Sequence, residues 1–242
     1  TGLISLGSAV RIRPSLPLLM KQKYKFLLKR LLYYFYGEKF FKRLDYDWKK
    51  HPSRSEIIQK IIDNKNYKNY LEVGCDKDEN FSKINVEKKI GVDPLQGGTL
   101  RMTSDDFFKK NNEKFDLIFL DGLHTYEQTI KDIDNSLEVL NNHGVVIIHD
   151  CLPKKIWNQI VPRVYGHWNG DVWKAIVHSR TYNHADTYTC IADHGLGIIF
   201  KRKNRDPLEL KKDFKNLKFS EYYYNHKKFM NPISYENLFS IF

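Results

Sequence analysis

Two pairs of residues in the middle of the chain have the types and spacing of an acid–base site. Asp121 is followed three residues later by His124, and His149 stands directly before Asp150. Histidine exchanges protons near neutral pH, so we predict His124 as a general base with His149 and Asp150 beside it. His124 could equally cap the next helix or bind a backbone carbonyl. The oxygen atoms of Asp121 and Asp150 are ligands that suit Mg²⁺, which makes a metal site a second hypothesis.

Both pairs follow apolar runs that predict buried strands of a mostly parallel sheet. The same pattern recurs along the chain and is interrupted by helical periods. We predict helices that start near Ser53 or Ser55, cover Tyr126–Asn141 and cover Asp171–Arg180, and an antiparallel pair of strands at the end. The predicted strands are Tyr70–Gly74, Lys89–Asp93, Thr99–Thr103, Phe115–Asp121, Val145–Asp150, Tyr188–Ala192 and Leu196–Arg202. The fold class is therefore α/β, with a doubly wound, mostly parallel, seven-stranded sheet.

Polar residues and glycines stand at almost every predicted strand end. Ligands of open α/β sheets bind outside the carboxyl ends of the strands, so these residues are expected to share one site. Gly74 allows a sharp turn or a close approach to a ligand. Asp93 can accept hydrogen bonds from a ribose diol, although a strand-end aspartate can also serve only as a turn residue.

These segments resemble the class I S-adenosylmethionine-dependent methyltransferases over about residues 53–203. The resemblance rests on Leu71–Gly74, Ile90–Asp93, Phe115–His124 and Gly144–Asp150, and the last two look like small-molecule O-methyltransferases of glycan and natural-product pathways. It implies a Rossmann-like fold with S-adenosylmethionine as cofactor. Glu72 and Gly74 would lie under its methionine part, with Cys75 and Asp121 nearby. Asp93 would bind the ribose, and Thr103, Ser104 and Asp105 would border the adenine.

The chain departs from that family in its first loop. The loop that begins at Gly74 carries one glycine where several are usual, and few residues separate Gly74 from Glu87. The first crossover helix must therefore be very short. We expect a shallow cofactor pocket, or one that the N-terminal segment completes.

The predicted function is O-methylation of a hydroxyl on a sugar or another small polar acceptor. The long segment Cys151–Gly170 contains aromatic and polar residues suited to binding such an acceptor: Pro153, Trp157, Pro162, Tyr165, His167 and Trp168. Methylation of RNA and a non-catalytic scaffold role remain alternatives. A Gly-x-Ser-x-Gly elbow is missing from the sequence, so hydrolysis has no support.

Charge divides the chain into three predicted parts: a basic extension at residues 1–51, the methyltransferase domain at 52–203, and a basic, aromatic extension at 204–242. Residues 1–50 contain 12 lysines and arginines against three acidic residues, whereas the central part is slightly acidic. This distribution of charge argues against nucleic acid as a partner of the cleft. Residues 21–36 have the period of an amphipathic helix, preceded by an irregular leader.

We expect that helix and the basic–aromatic stretch after it, together residues 21–43, to pack on the domain or on a second copy. A peripheral membrane surface is the alternative partner of residues 21–43. Three cysteines without paired spacing predict a reducing compartment. The expected location is the cytoplasm, with contact to the inner membrane surface left open.

Overall fold

The computed structural model describes residues 16–163 and 166–242. Most of the predicted leader, and Tyr165 of the acceptor segment, lie outside the described residues. Within them the chain forms six α-helices and seven strands, in the order α1 (Leu16–Tyr36), α2 (Arg54–Lys65), β1 (Asn69–Val73), β2 (Lys88–Val92), α3 (Ser104–Lys110), β3 (Phe115–Leu120), α4 (Tyr126–Val139), β4 (Leu140–Ile148), α5 (Val172–Ser179), β5 (Asp186–Cys190), β6 (Leu196–Phe200), α6 (Phe219–Met230) and β7 (Pro232–Ile233).

All seven strands belong to one sheet in the order β2-β1-β3-β4-β6-β5-β7. Strands β2, β1, β3 and β4 run parallel, β6 runs antiparallel to both of its neighbours, and β7 pairs in parallel with β5. The α/β class, the mostly parallel sheet and the antiparallel closing pair are confirmed. Because β6 alone is reversed, the ends of β1 to β5 meet at the same edge.

The sheet is covered on both faces, as its near-continuous apolar runs predict. Along β3, Leu117 and Phe119 belong to one apolar cluster, which includes the isoleucines of α2. Ile118 and Leu120 belong to the other cluster, which includes buried residues of α4, α5 and α6. Helix α2 begins after Ser53, whose backbone N–H donates to the Glu56 carboxylate at 2.8 Å.

The predicted strand Thr99–Thr103 is wrong. Only Leu100 forms a bridge to β2, because the preceding turn, with φ of +66° at Gly97 and +64° at Gly98, returns the chain to Gly91. Thr103 instead caps α3 by accepting a hydrogen bond from the Asp106 N–H at 3.1 Å. The seventh strand is β7, too short for a sequence period to reveal.

The connections also bear on the shape of the site. The crossover from β1 to β2 contains a single 3₁₀ turn, Phe81–Lys83, which confirms the expected lack of a full helix there. Residues 204–242 add α6 and β7 and bury Phe219 and Tyr222 in the core. No helix in the described part of the chain has the length and apolarity of a membrane span.

Candidate functional site

The predicted site residues meet at the carboxyl edge of the parallel strands. Backbone hydrogen bonds extend the strand pairing past the strand ends: the Gly74 N–H donates to Val92 at 2.8 Å, and the Asp121 N–H donates to Val73 at 2.8 Å. Gly74 has φ of +90°, and a Cβ there would lie 2.3 Å from the Asp121 carbonyl oxygen. Only glycine permits this close approach between the loops.

Two cavities open at this edge. The first, here the Asp93 cavity, has a volume of about 460 Å³ and is bordered by Asp93, Leu95, Thr103, Ser104, Asp105 and Leu123. The second, here the His124 cavity, has about 610 Å³ and is bordered by Arg54, Glu72, Cys75, His124, His149 and Asp150. Gly74, Asp76, Asp121 and Gly122 line both cavities. Every residue that the sequence singled out as catalytic or cofactor-binding therefore lies in this double cavity.

Asp93 is held rigidly by the backbone around it. One carboxylate oxygen accepts from the N–H groups of Leu95 at 2.8 Å and Gln96 at 2.9 Å, and the other accepts from Asp76 at 3.0 Å. Burial alone would raise the pKa of Asp93, but these bonds outweigh it and lower the pKa. The residue thus organises a turn and is also a fixed anion at the cavity wall. A carboxylate offers about four lone-pair sites, so capacity remains for a ligand hydroxyl.

At the far end of the Asp93 cavity, the side-chain amide of Gln128 links three polar residues. Gln128 was not among the site residues predicted from the sequence. Gln128 donates through Nε2 to Ser104 at 3.2 Å, to Asp105 at 3.0 Å and to Asp132 at 3.0 Å. Burial raises the pKa of Asp132 to about 6. Gln128 and Asp132 are one turn apart on α4. Two polar residues among the apolar positions of that helix were the feature of the sequence that could have predicted them as site residues.

Glu72 forms the floor of the His124 cavity. Its Oε2 accepts from the Tyr70 hydroxyl at 2.5 Å and from Asn80 Nδ2 at 2.7 Å. Burial raises the pKa of Glu72 to about 7 despite these bonds. Cys75 packs nearby, and burial raises the pKa of its thiol as well. The Glu72 carboxyl therefore changes charge near neutral pH at the floor of this cavity.

Asp121 is at the centre of a buried group of charges. Its Oδ1 lies 3.1 Å from His124 Nε2 and 3.1 Å from His149 Nδ1, and its Oδ2 lies 3.8 Å from Arg54 Nε. Burial alone would raise the pKa of Asp121, but the two imidazoles hold it well below its usual range. Asp121 is consequently ionised throughout the neutral range.

His149 is the positive member of this group. Its Nε2 lies 3.5 Å from Asp193, and its Nδ1 lies 3.7 Å from Asp150 in addition to the contact with Asp121. Burial alone would lower the pKa of His149, but these carboxylates outweigh it and raise the pKa well above its usual value. The residue therefore keeps its proton at neutral pH.

His124 lies between two carboxylates. Nε2 faces Asp121, and Nδ1 lies 3.4 Å from Asp150 Oδ2 without forming a hydrogen bond within the described residues. The ring stacks on Trp168, with centroids 5.5 Å apart and planes 21° apart. A Cβ at Gly170 would overlap the His124 carbonyl oxygen at 1.8 Å, so this glycine lets the loop close on His124.

Asp150 adopts φ of +60°, in the left-handed region that a non-glycine residue enters at a cost. Asn169 Nδ2 donates to Asp150 Oδ1 at 2.7 Å, which fixes the carboxylate in this position. Asn169, His167 and Trp168 belong to the segment Cys151–Gly170. That segment therefore forms one wall of the His124 cavity.

Sequence reasoning missed Arg54 and Asp193 as site residues. Asp193 lies in the turn between β5 and β6 and accepts from the Arg54 backbone N–H at 2.7 Å. Its position could have been predicted in the same way as the other site residues, because β5 ends at this edge of the sheet and a polar turn follows β5. Arg54 gave no comparable signal, since it belongs to the first turn of α2.

Among the described residues, two groups of side chains are close enough together to hold a metal ion. The possible ligand atoms of Asp121, His124 and Asp150 all lie within 4.8 Å of one another, as do those of Asp150, His167 and His194. The two carboxylates of the first group fit a divalent cation. The imidazoles, one in the first group and two in the second, favour Mn²⁺ or Zn²⁺ over Mg²⁺, which takes oxygen ligands almost exclusively.

Comparison with known proteins agrees with this architecture. Residues 49–151 match a family model described as a methyltransferase domain, whereas none of the curated proteins matches the chain. The solved methyltransferase PaMTH1 of Podospora anserina, bound to SAH, is 15% identical, with 82% of this chain and 100% of that chain covered and a TM-score of 0.51. An O-methyltransferase from Bacillus cereus, in complex with SAH, is 14% identical over 78% of this chain and 91% of that chain, with a TM-score of 0.43.

At these identities the similarity to PaMTH1 is one of fold. The segment matched by the family model contains β1 to β4, and with them the strand ends that carry Gly74, Asp93, Asp121 and Asp150. Residues 49–151 thus match a methyltransferase domain, within a fold that the chain shares with a SAH-bound methyltransferase.

Proposed function

We propose that the chain transfers a methyl group from S-adenosylmethionine to a hydroxyl of a sugar or another small polar acceptor. The observation that carries the proposal is the double cavity, in which Gly74 and Asp121 separate a partly apolar chamber from a polar, histidine-lined one. A methyltransferase has to hold two ligands end to end, and two joined chambers meet that requirement.

The Asp93 cavity suits the adenosine part of the cofactor. Leu95 and Leu123 are 83% and 61% exposed at its mouth, where they can cover the two faces of a purine. We assign the adenine to the region beside Thr103, Ser104 and Asp105, and the ribose to Asp93. Glu72, Gly74 and Cys75 would then border the methionine part, whose cationic ammonium is a suitable partner for the Glu72 carboxylate.

The rest of the His124 cavity, beyond the residues assigned to the methionine part, suits the acceptor. Its wall carries charged donors, acceptors and one indole, from Arg54, Lys77, Arg163, His167 and Trp168. A ligand with several hydroxyls can satisfy these groups, whereas a purely apolar ligand would leave them unpaired. Acidic residues also line the cavity, among them Glu79 and Asp150, which argues against a polyanionic acceptor such as RNA.

We assign the proton transfer to His124. Nδ1 is buried beside Asp150, so we assign to it the proton of an acceptor hydroxyl that enters between the ring and that carboxylate, with the ring's own proton on Nε2 toward Asp121. The imidazolium so formed is stabilised by Asp121 and Asp150, which flank it. His149 keeps its own proton and serves as a fixed positive charge. When bound, S-adenosylmethionine supplies an electrophilic methyl group.

A divalent cation is the alternative way to activate the hydroxyl. Asp121 and Asp150, with His124 as third ligand, would hold the ion, which orients and acidifies a hydroxyl bound to it. In that arrangement His124 would be a ligand and not the base, and the acidified hydroxyl would lose its proton to water. Mg²⁺ is the ion first suggested by the two carboxylates, and the imidazole shifts our expectation toward Mn²⁺.

The decisive experiment is a transfer assay with S-adenosylmethionine labelled in its methyl group. The full chain would be incubated with free sugars, nucleotide-linked sugars and short RNAs, and incorporation of label measured in each class. Label in sugars supports the proposal. Label in RNA alone, with loss of activity at raised salt, would replace it with RNA methylation.

A further inference from the structure

Helix α1 exposes an apolar stripe to solvent. Tyr24, Leu28, Leu31 and Phe35 recur at steps of four, three and four residues, which places them on one side of a helix. They are between 48% and 68% exposed, and Leu27 and Leu32 beside them are about equally exposed. Of the two surfaces expected to cover this helix, its own domain leaves the stripe exposed, and packing on a second copy stays a prediction.

The opposite side of α1 is the one that contacts the domain. The rings of Phe26 and Tyr33 lie 6.5 Å and 5.9 Å from the ring of Trp157. Arg30 places its guanidinium 4.9 Å from the same indole. With about 100° of rotation per residue, Phe26 and Tyr33 are opposite Leu31 and Phe35. The contacts with Trp157 therefore hold the apolar stripe outward.

Lysines flank the stripe on both sides. The helical period places the exposed Lys25 and Lys29 along one border and Lys23 along the other. The sequence of α1 contains five lysines and arginines and no acidic residue. An apolar centre between two basic borders is the pattern of a helix that lies flat in a membrane interface.

Aromatic residues continue this surface beyond the end of α1. Phe41 is 63% exposed, and its ring lies 5.6 Å from that of Tyr34. Lys39 Nζ lies 5.1 Å from the centre of the Tyr34 ring. Aromatic rings paired with lysines suit the boundary between headgroups and acyl chains, because one part of each pair is apolar and the other is charged.

We propose that α1, together with Lys39 and Phe41, binds the surface of an anionic membrane. The leucines and aromatic rings would enter the acyl boundary while the lysines reach lipid phosphates. A second copy of the chain is a poorer occupant, because pairing two such stripes would bring lysine borders together without an acidic partner on either helix. The proposal depends on α1 and is independent of the reaction that the cavities support.

The test uses sedimentation of the full chain with lipid vesicles. Vesicles of phosphatidylcholine with phosphatidylglycerol are expected to bind at least about tenfold more tightly than phosphatidylcholine alone, and raised salt should weaken the binding. Equal binding to the two kinds of vesicle, or binding to neither, would overturn the proposal.

Variants separate the apolar contribution from the charges. Leu28→Ser/Leu31→Ser and, separately, Lys25→Glu/Lys29→Glu should each lose most vesicle binding. Leu28→Met/Leu31→Met keeps the apolar surface and should bind normally. Lys109→Glu/Lys110→Glu makes the same change of charge on exposed residues of α3 and serves as the control. Unchanged binding in both α1 variants contradicts the proposal.

Two further readouts make these results specific. Binding of S-adenosylhomocysteine by each variant reports that the domain is folded. Sedimentation velocity without vesicles reports the oligomeric state. A dimer that dissociates in Leu28→Ser/Leu31→Ser, combined with no vesicle binding by the wild-type chain, would assign the stripe to a second copy instead.

Discussion

The imidazole of His149 and the carboxylate of Asp121 form a partly buried ion pair, with Nδ1 3.1 Å from Oδ1. This pair joins the ends of β3 and β4, the two central strands that also carry His124 and Asp150 to the cavity. Because Asp150 and Asp193 also face His149, the positive charge is shared among three carboxylates. The pair therefore both stabilises the strand ends and fixes the charge of the site.

Loss of the His149 charge should destabilise the fold in a pH-dependent way. The folded protein raises the pKa of His149, so its contribution to the free energy of unfolding is full below the unfolded pKa of about 6.5 and declines as the pH rises through the folded pKa. His149→Phe removes one positive partner from Asp121, Asp150 and Asp193, while Asp121 keeps His124 and Arg54, and should cost about 1.5–3 kcal/mol at low pH. Urea denaturation of both proteins across the pH range measures this difference, and a difference independent of pH would contradict the assignment of charge.

Cofactor affinity should depend on the ionisation of Glu72. Its pKa is raised to about 7, and only the ionised carboxylate can pair with the ammonium of S-adenosylmethionine. As the pH falls below about 7, the affinity should decrease by up to roughly tenfold per pH unit. Titration calorimetry of the wild type, Glu72→Gln and Asp132→Asn tests this. The first variant should lose the dependence near pH 7, whereas the second should retain it.

Asp93→Ala should weaken binding of S-adenosylmethionine and S-adenosylhomocysteine alike. Hydrogen bonds to a charged group contribute about 1.5–3 kcal/mol each, so loss of one ribose contact corresponds to roughly 10- to 100-fold in affinity. Asp106→Ala, which removes an exposed carboxylate of α3, is the matched control. Equal affinity in wild type and Asp93→Ala would remove the ribose assignment.

His124→Ala should reduce turnover by about 10²- to 10⁴-fold, the usual contribution of a general base. Affinity for S-adenosylhomocysteine should stay near that of the wild type, because His124 lies on the acceptor side. Rates and calorimetry together separate the two effects. Full turnover in the variant would mean that His124 is structural.

Metal dependence distinguishes the two ways of activating the hydroxyl. If His124 acts as a base, a chelator leaves the rate unchanged. If Asp121, His124 and Asp150 hold an ion, the chelator abolishes turnover, and Mn²⁺ should restore it better than Mg²⁺. Binding of Mn²⁺ to the protein alone, followed by electron paramagnetic resonance and compared with Asp150→Asn, gives a readout that does not require activity.

The sequence predicts those site residues whose position depends on one local rule, namely that polar residues and glycines follow buried strands. Gly74, Asp93, Asp121 and Asp150 follow buried strands, and parallel strands end at one edge, so their convergence could be predicted. Arg54 could not, because an arginine in the first turn of a helix is ordinarily a solvent-exposed residue. Only the packing of α2 beside β5 and β6 directs it toward Asp121 and Asp193.

The predictions that the structure contradicts also have physical causes. Thr99–Thr103 has the period of a strand, but the two glycines before it turn the chain so that only Leu100 pairs. The exposed apolar residues of α1 have the spacing of a helix face that is usually buried. That spacing alone does not show which apolar surface covers them. The domain limits of 51/52 and 203/204 stay a prediction, although β7 from the last part joins the sheet.

Trp157 connects the N-terminal helix to the loop that borders the His124 cavity. The indole receives Phe26, Arg30 and Tyr33 from α1, and the loop that contains it continues to Trp168 above His124. Removing the helix would leave this indole without its three contacts. Residues 26–33 therefore support the loop that carries Trp168, and a chain shortened to residues 52–203 would lack that support.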